Sequence, residues 1–287
     1  MENASKISGS VQPEGIDLTR SCYVDTGRVL DMEIELEVLG PVQVRRDGAR
    51  VRLGPRLVAL LSVLVVELGR AVPANRLVDM VWSGGAPDAA PATLRSHVSH
   101  LRRALRGAHG TAPLTTLGNG HGVGYRLDVR AEQVDARRFE LTYAQARPLL
   151  TGTAGDRERA VRLLRDALEM WRGPAFADVA DRPFALPEIA RLGALRRAVR
   201  RTLAEALSTL GRHGEAVGEL AGHVAEDPYD EGLRRQLAVA LYAEHRTDEA
   251  AQVCRDGLRL LRERGIEAPD LHSLQLTILR RELAVPR

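Results

Sequence analysis

The sequence predicts two regions of different fold class, an α+β N-terminal domain and an all-α domain after it. Three observations support this. Segments in which apolar and polar residues alternate come first, with a hairpin turn; three helical segments and a second hairpin follow; and the rest of the chain shows helical periodicity only. A chain of 287 residues is long enough for both domains to bury a core. We expect a mobile tail at residues 1–32, the α+β domain at 33–130 and the helical domain at 131–287.

Positive charge is concentrated in the first domain. The net charge is only +3, but residues 33–130 carry 13 Arg against eight acidic residues, whereas residues 131–287 carry 25 of each. Such a distribution is typical of a protein that binds a polyanion. Because the excess is modest, we expect salt-sensitive binding that is helped by dimerisation or by a second protein.

Two features indicate a cytoplasmic protein that does not enter a membrane. Cys22 and Cys254 have neither the spacing of a disulfide framework nor that of a metal site, which fits a reducing compartment. The longest apolar run, Leu57–Val66, is too short to span a bilayer, and the N-terminus lacks the apolar core of a signal peptide.

The elements of the first domain follow from local patterns. Alternating apolar residues from Met32 to Leu53, interrupted by the turn Arg46–Gly48, predict an antiparallel meander. Pro55 then begins a helix, as proline often does. The segments expected after the meander are helices at Arg56–Leu68, Ala74–Trp82 and Ala89–Gly107, a loop at Ser83–Pro87, and two β segments with a glycine-rich tip within Leu114–Asp128.

The third helix has one apolar stripe and one face of hydrogen-bond donors. The residues on the apolar side are Leu94, Val98, Leu101 and Leu105. Those on the opposite side and its flanks are Thr93, Arg95, Ser96, His97, Ser99, His100, Arg103 and Arg106. This face has no acid and no large apolar residue, and phosphate oxygens and base edges supply the acceptors that it lacks. A solvated amphipathic helix is the alternative.

Strands, three helices and a terminal hairpin in this order are typical of a winged helix-turn-helix whose third helix enters the major groove. The runs RLVDMVW, TLRSHVSHLRRAL and GVGYRL resemble the OmpR-type winged helix, a two-component-like output domain, of the Streptomyces antibiotic regulatory protein (SARP) family. Val58, Arg95 and His97 depart from residues common in that family, which bears on base preference and not on fold.

The resemblance implies double-stranded DNA as a partner, with the hairpin wing at the adjacent minor groove or its phosphates. The implied DNA contacts from the third helix are Thr93, Arg95, Ser96, Ser99, His100, Arg102, Arg103 and Arg106. Arg56 at a helix N-terminus is the implied phosphate contact, and Asn119 and His121 are implied at the wing tip.

The second domain shows helices at Asp135–Leu150, Arg157–Trp171 and Pro187–Leu210, with an irregular segment before the last. Downstream, Ala206-Leu207 recurs as Ala240-Leu241 and Glu215-Ala216 recurs as Glu249-Ala250. Both recur after 34 residues, the period of tetratricopeptide helix pairs. The runs DARRF and LEMWRGPAFADV resemble the bacterial transcriptional activation domain that follows the winged helix in SARPs. The sequence therefore predicts a tetratricopeptide-like helical domain.

No motif indicates an enzyme, a cofactor or a metal. The chain has no GxxxxGK[ST], and the wing tip GNGHGVG lacks the GxGxxG pattern. His97 and His100 would need a third ligand to bind a metal, so we favour phosphate contact or simple exposure. We interpret Trp82 and Trp171 as core residues at helix ends and Tyr125 as an anchor of the wing.

The resemblance implies a transcriptional activator that binds promoter direct repeats head to tail as a homodimer on DNA. It further implies contact with RNA polymerase holoenzyme, control of a specialised-metabolite (antibiotic) gene cluster, and a nucleoid-associated location. Two alternatives stay open: a ligand-sensing repressor or architectural DNA binder, and a protein-interaction adaptor whose winged helix has lost DNA binding.

Overall fold

A computed structural model describes residues 34–83, 85–107, 112–119 and 122–282; the expected tail and Cys22 lie outside these ranges. The strands are β1 Ile34–Glu37, β2 Gln43–Arg46, β3 Ala49–Val51, β4 Val72–Pro73, β5 Leu114–Asn119 and β6 Gly122–Leu127. The helices are α1 Pro55–Val66, α2 Ala74–Trp82, α3 Ala90–Ala104, α4 Asp135–Ala146, α5 Ala154–Glu169, α6 Leu186–Thr209, α7 His213–Glu226, α8 Glu231–Ala243, α9 Thr247–Glu263 and α10 Pro269–Arg280. The predicted fold class is confirmed.

Two three-stranded antiparallel sheets, in the orders β1-β2-β3 and β4-β6-β5, belong to the first region. The predicted hairpin turn is confirmed at Asp47 and Gly48, whose positive φ angles of 49° and 76° suit the twist of a two-residue hairpin. Strand β4 was not predicted, because two residues including a proline are too few to show alternation. It completes the sheet that carries the wing.

The wing is held to the body of the first region by Tyr125. This residue lies on β6 between Val72 of β4 and Thr116 of β5 and is buried, which confirms its predicted role as an anchor. Gly124 beside it lies so close to β4 that an added Cβ would be 3.1 Å from the carbonyl oxygen of Val72. The close approach of the two backbones therefore needs glycine here.

Helices α4 to α10 form successive packed pairs. The four repeat alanines that the 34-residue period relates are all buried where neighbouring helices meet: Ala206, Ala216, Ala240 and Ala250. Helix α4 ends at Ala146, before the expected Leu150, because the next five residues form a 3-10 turn that begins with Arg147-Pro148. Helix α5 starts earlier than expected, because Thr153 and Asp156 form a capping box.

The connection between β1 and β2 is bonded to the helical region by two carboxylates. Asp135 at the start of α4 accepts from the backbone N–H of Val38 at 2.8 Å and of Leu39 at 3.0 Å. Asp178 accepts from the backbone N–H of Val42 at 2.6 Å. The backbone N–H of Arg172 donates to the carbonyl of Leu39 at 2.8 Å. One continuous set of buried apolar residues accordingly extends through both regions.

Candidate nucleic-acid interface

Helix α3 buries the predicted apolar stripe completely. The side chains of Leu94, Val98, Leu101 and the following Leu105 are at most 1% exposed. They pack with α1 and α2, which brings the three helices of the first region around one core. This burial fixes the rotation of α3 about its own axis and hence decides which side chains face outward.

The outward face of α3 carries donors and no acid. The exposed predicted residues of α3 are Arg95, Ser96, Ser99, His100 and Arg103, whereas Arg106 is exposed just beyond the helix, which ends at Ala104 and not at the predicted Gly107. Basic residues in the last turn, Arg102 and Arg103, also interact favourably with the negative end of the helix dipole. The surface offers guanidinium, imidazole and hydroxyl groups of the kind that contact phosphates and base edges.

Two of the predicted contact residues of α3 make bonds within the protein. Thr93 is half-buried, and its hydroxyl donates to the carbonyl of Ala89 at 3.0 Å. Arg102 donates from Nε to the carbonyl of Leu114 at 2.9 Å and from Nη2 to the hydroxyl of Thr116. Arg102 thus connects α3 to β5 and sets the position of the wing relative to the helix.

Arg56, Trp82 and His97 form a stack where α1, α2 and α3 meet. The Arg56 guanidinium lies 5.5 Å from the centre of the Trp82 ring and donates to the carbonyl of Val81 at 2.9 Å. On Trp82 the imidazole of His97 stacks with a centroid distance of 5.8 Å and an interplanar angle of 19°. Sequence reasoning did not connect these residues, because they lie on three different helices.

This environment disfavours the protonated form of His97. Burial lowers the pKa of His97, and the nearby charges of His100 and Arg56 lower it further. Within the described residues, no three His, Cys, Asp or Glu side chains come together as potential metal ligands. The imidazole of His97 packs against the Trp82 ring.

The wing is the β5–β6 hairpin. Near its base, the Asp128 carboxylate accepts from Arg126 and from the Thr115 hydroxyl, which lowers the pKa of Asp128. Towards the tip, Val123 is 46% exposed, a large apolar side chain that sequence reasoning did not single out. Asn119 ends β5, but its side chain and all of His121 lie outside the described residues.

Both tryptophans pack against the core at helix ends, as predicted, but neither is fully buried. Trp82 is half-buried beneath Arg56, and Trp171 is half-buried with Arg196 at 4.7 Å from its ring centre. The inner edge of Trp171 packs against Phe139 at a centroid distance of 5.5 Å. Each ring packs against the core and has a guanidinium group near its centre, because guanidinium groups are attracted to the electron-rich face of an indole.

The fold and this surface define a class: a winged-helix regulator joined to a helical-repeat domain. Family models match both parts, "Transcriptional regulatory protein, C terminal" over residues 48–127 and "Bacterial transcriptional activator domain" over residues 134–279. The chain belongs to the SARP family of transcriptional regulators.

Three similar proteins illustrate the family. Regulatory protein DnrI of Streptomyces peucetius is 30% identical over 261 residues, which are 88% of this chain and 95% of DnrI. Regulatory protein AfsR of Streptomyces griseus is 35% identical over 88% of this chain, but the match covers only 25% of AfsR. A structure described as Mycobacterium tuberculosis EmbR in complex with a low-affinity phosphopeptide matches with a TM-score of 0.77 and 31% identity, over 88% of this chain and 66% of EmbR.

The chain spans about a quarter of the length of the AfsR proteins that it matches. Among the described residues, no helix combines the length and apolarity that crossing a membrane requires.

Proposed function

We propose that the protein is a sequence-specific DNA-binding transcriptional activator. Helix α3 lies in the major groove of double-stranded DNA, and the wing lies at the adjacent minor groove or its phosphates. The observation that carries this proposal is the orientation of α3: burial of Leu94, Val98 and Leu101 turns a face of donors without acids away from the core. A duplex presents the matching acceptors.

The proposed DNA contacts fall into groups according to what each side chain already binds. The contacts proposed from the outward face of α3 are Arg95, Ser96, Ser99, His100 and Arg103, with Arg106 just beyond the end of the helix. Internal hydrogen bonds orient three further side chains, those of Arg56, Thr93 and Arg102. We propose that these side chains contact the DNA backbone with the hydrogen-bonding groups that remain unused. Asn119 and His121 are proposed at the wing tip.

In the proposed domain division, residues 33–130 bind DNA. Residues 131–287, with their tetratricopeptide-like helix pairs, support dimerisation and contact RNA polymerase holoenzyme. Two protomers bind promoter direct repeats head to tail, so repeats spaced by about 10–10.5 bp place both on one face of the duplex. Such a regulator acts in the cytoplasm on the nucleoid, and the family supports a specialised-metabolite (antibiotic) cluster as its target.

Binding is tested first by footprinting upstream regions of the neighbouring genes, then by titrating the protected fragment with variants. Arg103→Ala and Arg95→Ala are each expected to weaken specific binding by about tenfold, in line with about 1–3 kcal/mol for an arginine at a base edge. Arg259→Ala is the matched control, because it removes the same charge from an exposed position on α9. If all three variants bind alike, α3 does not enter the groove.

Activation is tested by transcription with purified RNA polymerase holoenzyme on the footprinted promoter. We expect more transcript with the protein than without it, in the absence of any added ligand. A fall in transcript would instead support the alternative of a repressor or architectural DNA binder. Protection of paired repeats with two protomers per fragment is expected, and a single protected half-site would contradict the head-to-tail dimer.

A further inference from the structure

A groove of about 570 Å³ lies beside β3, where the first sheet meets the start of α1. We call it the β3 groove, and its walls are the segment Arg50–Leu53 and the side chains of Val42, Val58 and Asp178. Exposure alternates along Arg50–Leu53, because each arginine is exposed and the residue after it is half-buried against the core. The groove therefore has a cationic rim and an apolar floor.

Strand β3 forms one edge of its sheet, because the strand order is β1-β2-β3. Among the described residues, no backbone hydrogen bond joins Arg50–Leu53 to any segment other than β2. The backbone groups along the outer edge of β3 can therefore pair with a further strand. Side chains alternate along a strand, so an added strand would turn one set towards the arginines and the other set towards the apolar floor.

The positive charge at the rim of the groove is not neutralised within the part of the chain that the structure describes. Neither Arg50 nor Arg52 forms an ion pair or a side-chain hydrogen bond there. Arg50 also lies opposite Arg45 in the register of β2 and β3, and like charges at opposite positions repel. The carboxylate of the walls, that of Asp178, already accepts from the backbone N–H of Val42 at 2.6 Å. Two arginines against this one bonded carboxylate leave the groove with net positive charge.

The surroundings of the groove add to this positive potential. Helix α1 has no acid in its first turn and no side-chain cap at Gly54, so no side chain of this turn offsets the positive end of the helix dipole. Val58 of the groove wall lies one turn into this helix. The other acids of the first sheet are not groove walls: Glu35 and Glu37 are on β1, beyond β2, and Asp47 is in the hairpin turn. A carboxylate bound in the groove would thus meet more positive than negative charge.

We propose that the β3 groove binds an extended segment of a partner protein in which acidic residues alternate with apolar ones. The segment pairs with the outer edge of β3 through main-chain hydrogen bonds, its acids meet Arg50 and Arg52, and its apolar side chains lie on the floor. A nucleic acid would satisfy the arginines but has no apolar side chains for that floor. The proposal is independent of DNA binding, because none of the groove residues belongs to the proposed DNA contacts.

The test titrates the full chain into fluorescein-labelled peptides and measures anisotropy. The probe is an octapeptide of alternating glutamate and valine with a Gly-Ser leader. One control peptide has glutamine in place of glutamate, and the other has the same composition with the four glutamates first and the four valines after them. We expect saturable binding of the alternating peptide and binding weaker by about tenfold for each control, because surface ion pairs are individually weak but here act together with the edge pairing. Absence of saturation with the alternating peptide, or equal affinity for the block peptide, would overturn the proposal.

Variants separate binding at the groove from general charge effects. Arg50→Gln and Arg52→Gln are each expected to weaken binding of the alternating peptide by about threefold. Arg46→Gln is the matched control, because it removes the same charge from an exposed position of the same hairpin that is not a groove wall, and it should leave the peptide affinity unchanged. All three variants should bind the footprinted DNA fragment as the wild type does. Equal peptide affinities of the three variants, or weaker duplex binding by the two groove variants, would contradict the proposal.

Discussion

Leu39 donates its backbone N–H to Oδ2 of Asp135 at 3.0 Å, although 96 residues separate the two along the chain. The other carboxylate oxygen accepts from Val38, and Arg172 lies 3.5 Å from Oδ2. Asp135 is almost fully buried, and burial raises its pKa against the opposing effects of these bonds. One carboxylate therefore accepts from two amides of the β1–β2 connection and lies at the start of the first helix of the second region.

Replacing Asp135 with Ala should destabilise the whole chain. The backbone amides of Val38, Leu39 and Ala136 would lose their acceptor. A buried amide without an acceptor costs about 1–3 kcal/mol, and an amide that water can reach costs less. We expect a loss of about 2–4 kcal/mol in the free energy of unfolding, measured by urea denaturation. Asp270→Ala, at an exposed ion pair, should change it by less than about 0.5 kcal/mol. Equal effects would show that the Asp135 bonds do not stabilise the fold.

Adjacent arginines on α3 should have separable roles. Arg102→Ala removes the bonds to Leu114 and Thr116 and should lower the unfolding free energy by about 1 kcal/mol. Arg103→Ala removes an exposed side chain and should leave stability unchanged while weakening DNA binding. Thermal melting and anisotropy titration measure the two effects. A stability loss confined to the Arg103 variant would refute this assignment.

Glycines in two helices should respond oppositely to the same substitution. An added Cβ at Gly257 of α9 would lie 2.7 Å from Cδ of Arg234 and 2.8 Å from Cδ2 of Leu271, so Gly257→Ala should destabilise by about 1–3 kcal/mol. Gly218 of α7 is exposed with no atom within 4 Å of such a Cβ. Gly218→Ala should stabilise by up to about 1 kcal/mol through helix propensity. The chemical-denaturation midpoints of both variants test this pair.

Protonation of His223 should destabilise the protein in mild acid. Its pKa is about 4 in the folded chain, lowered by burial and Arg200 against the raising effects of Glu219 and Glu226. Between pH 6.5 and 4 the unfolded chain binds the proton and the folded chain does not, so stability falls as pH falls through this window. The loss attributable to this residue is at most about 3 kcal/mol.

The comparison is with His223→Gln, which has no imidazole to protonate. Between pH 6.5 and 4, its free energy of unfolding should fall less than that of the wild type. The difference between the two curves isolates His223 from His97, whose pKa is also lowered. Parallel curves would mean that His223 is protonated equally in both states.

Helical periodicity was sufficient to predict the orientation of α3, because Leu94, Val98 and Leu101 repeat at the spacing of one helix face. It was not sufficient for Arg102, which shares that helix but bonds to β5. Sequence reasoning also missed the stack of Trp82 on His97 and the two-residue strand β4, because both depend on contacts between segments that are distant in the chain. Contacts between distant segments leave no local pattern in the sequence.

The family resemblance located Asp135 and Asp178 as members of the runs DARRF and GPAFADV but gave no role to either. In the structure, both carboxylates hold the connection between β1 and β2, because they accept from its backbone amides. Half of each interaction lies in a backbone group, and every residue except proline carries the same N–H. Which amide each carboxylate meets is decided by tertiary packing.

These two carboxylates have a consequence for dissecting the protein. A fragment truncated at residue 130 would lose both carboxylates, and the amides of Val38 and Val42 in the connection between β1 and β2 would lose these acceptors. The shortest N-terminal piece that keeps both bonds continues through α5 to Asp178. We therefore expect a fragment that contains the first region to be more stable when it also includes the first helical hairpin.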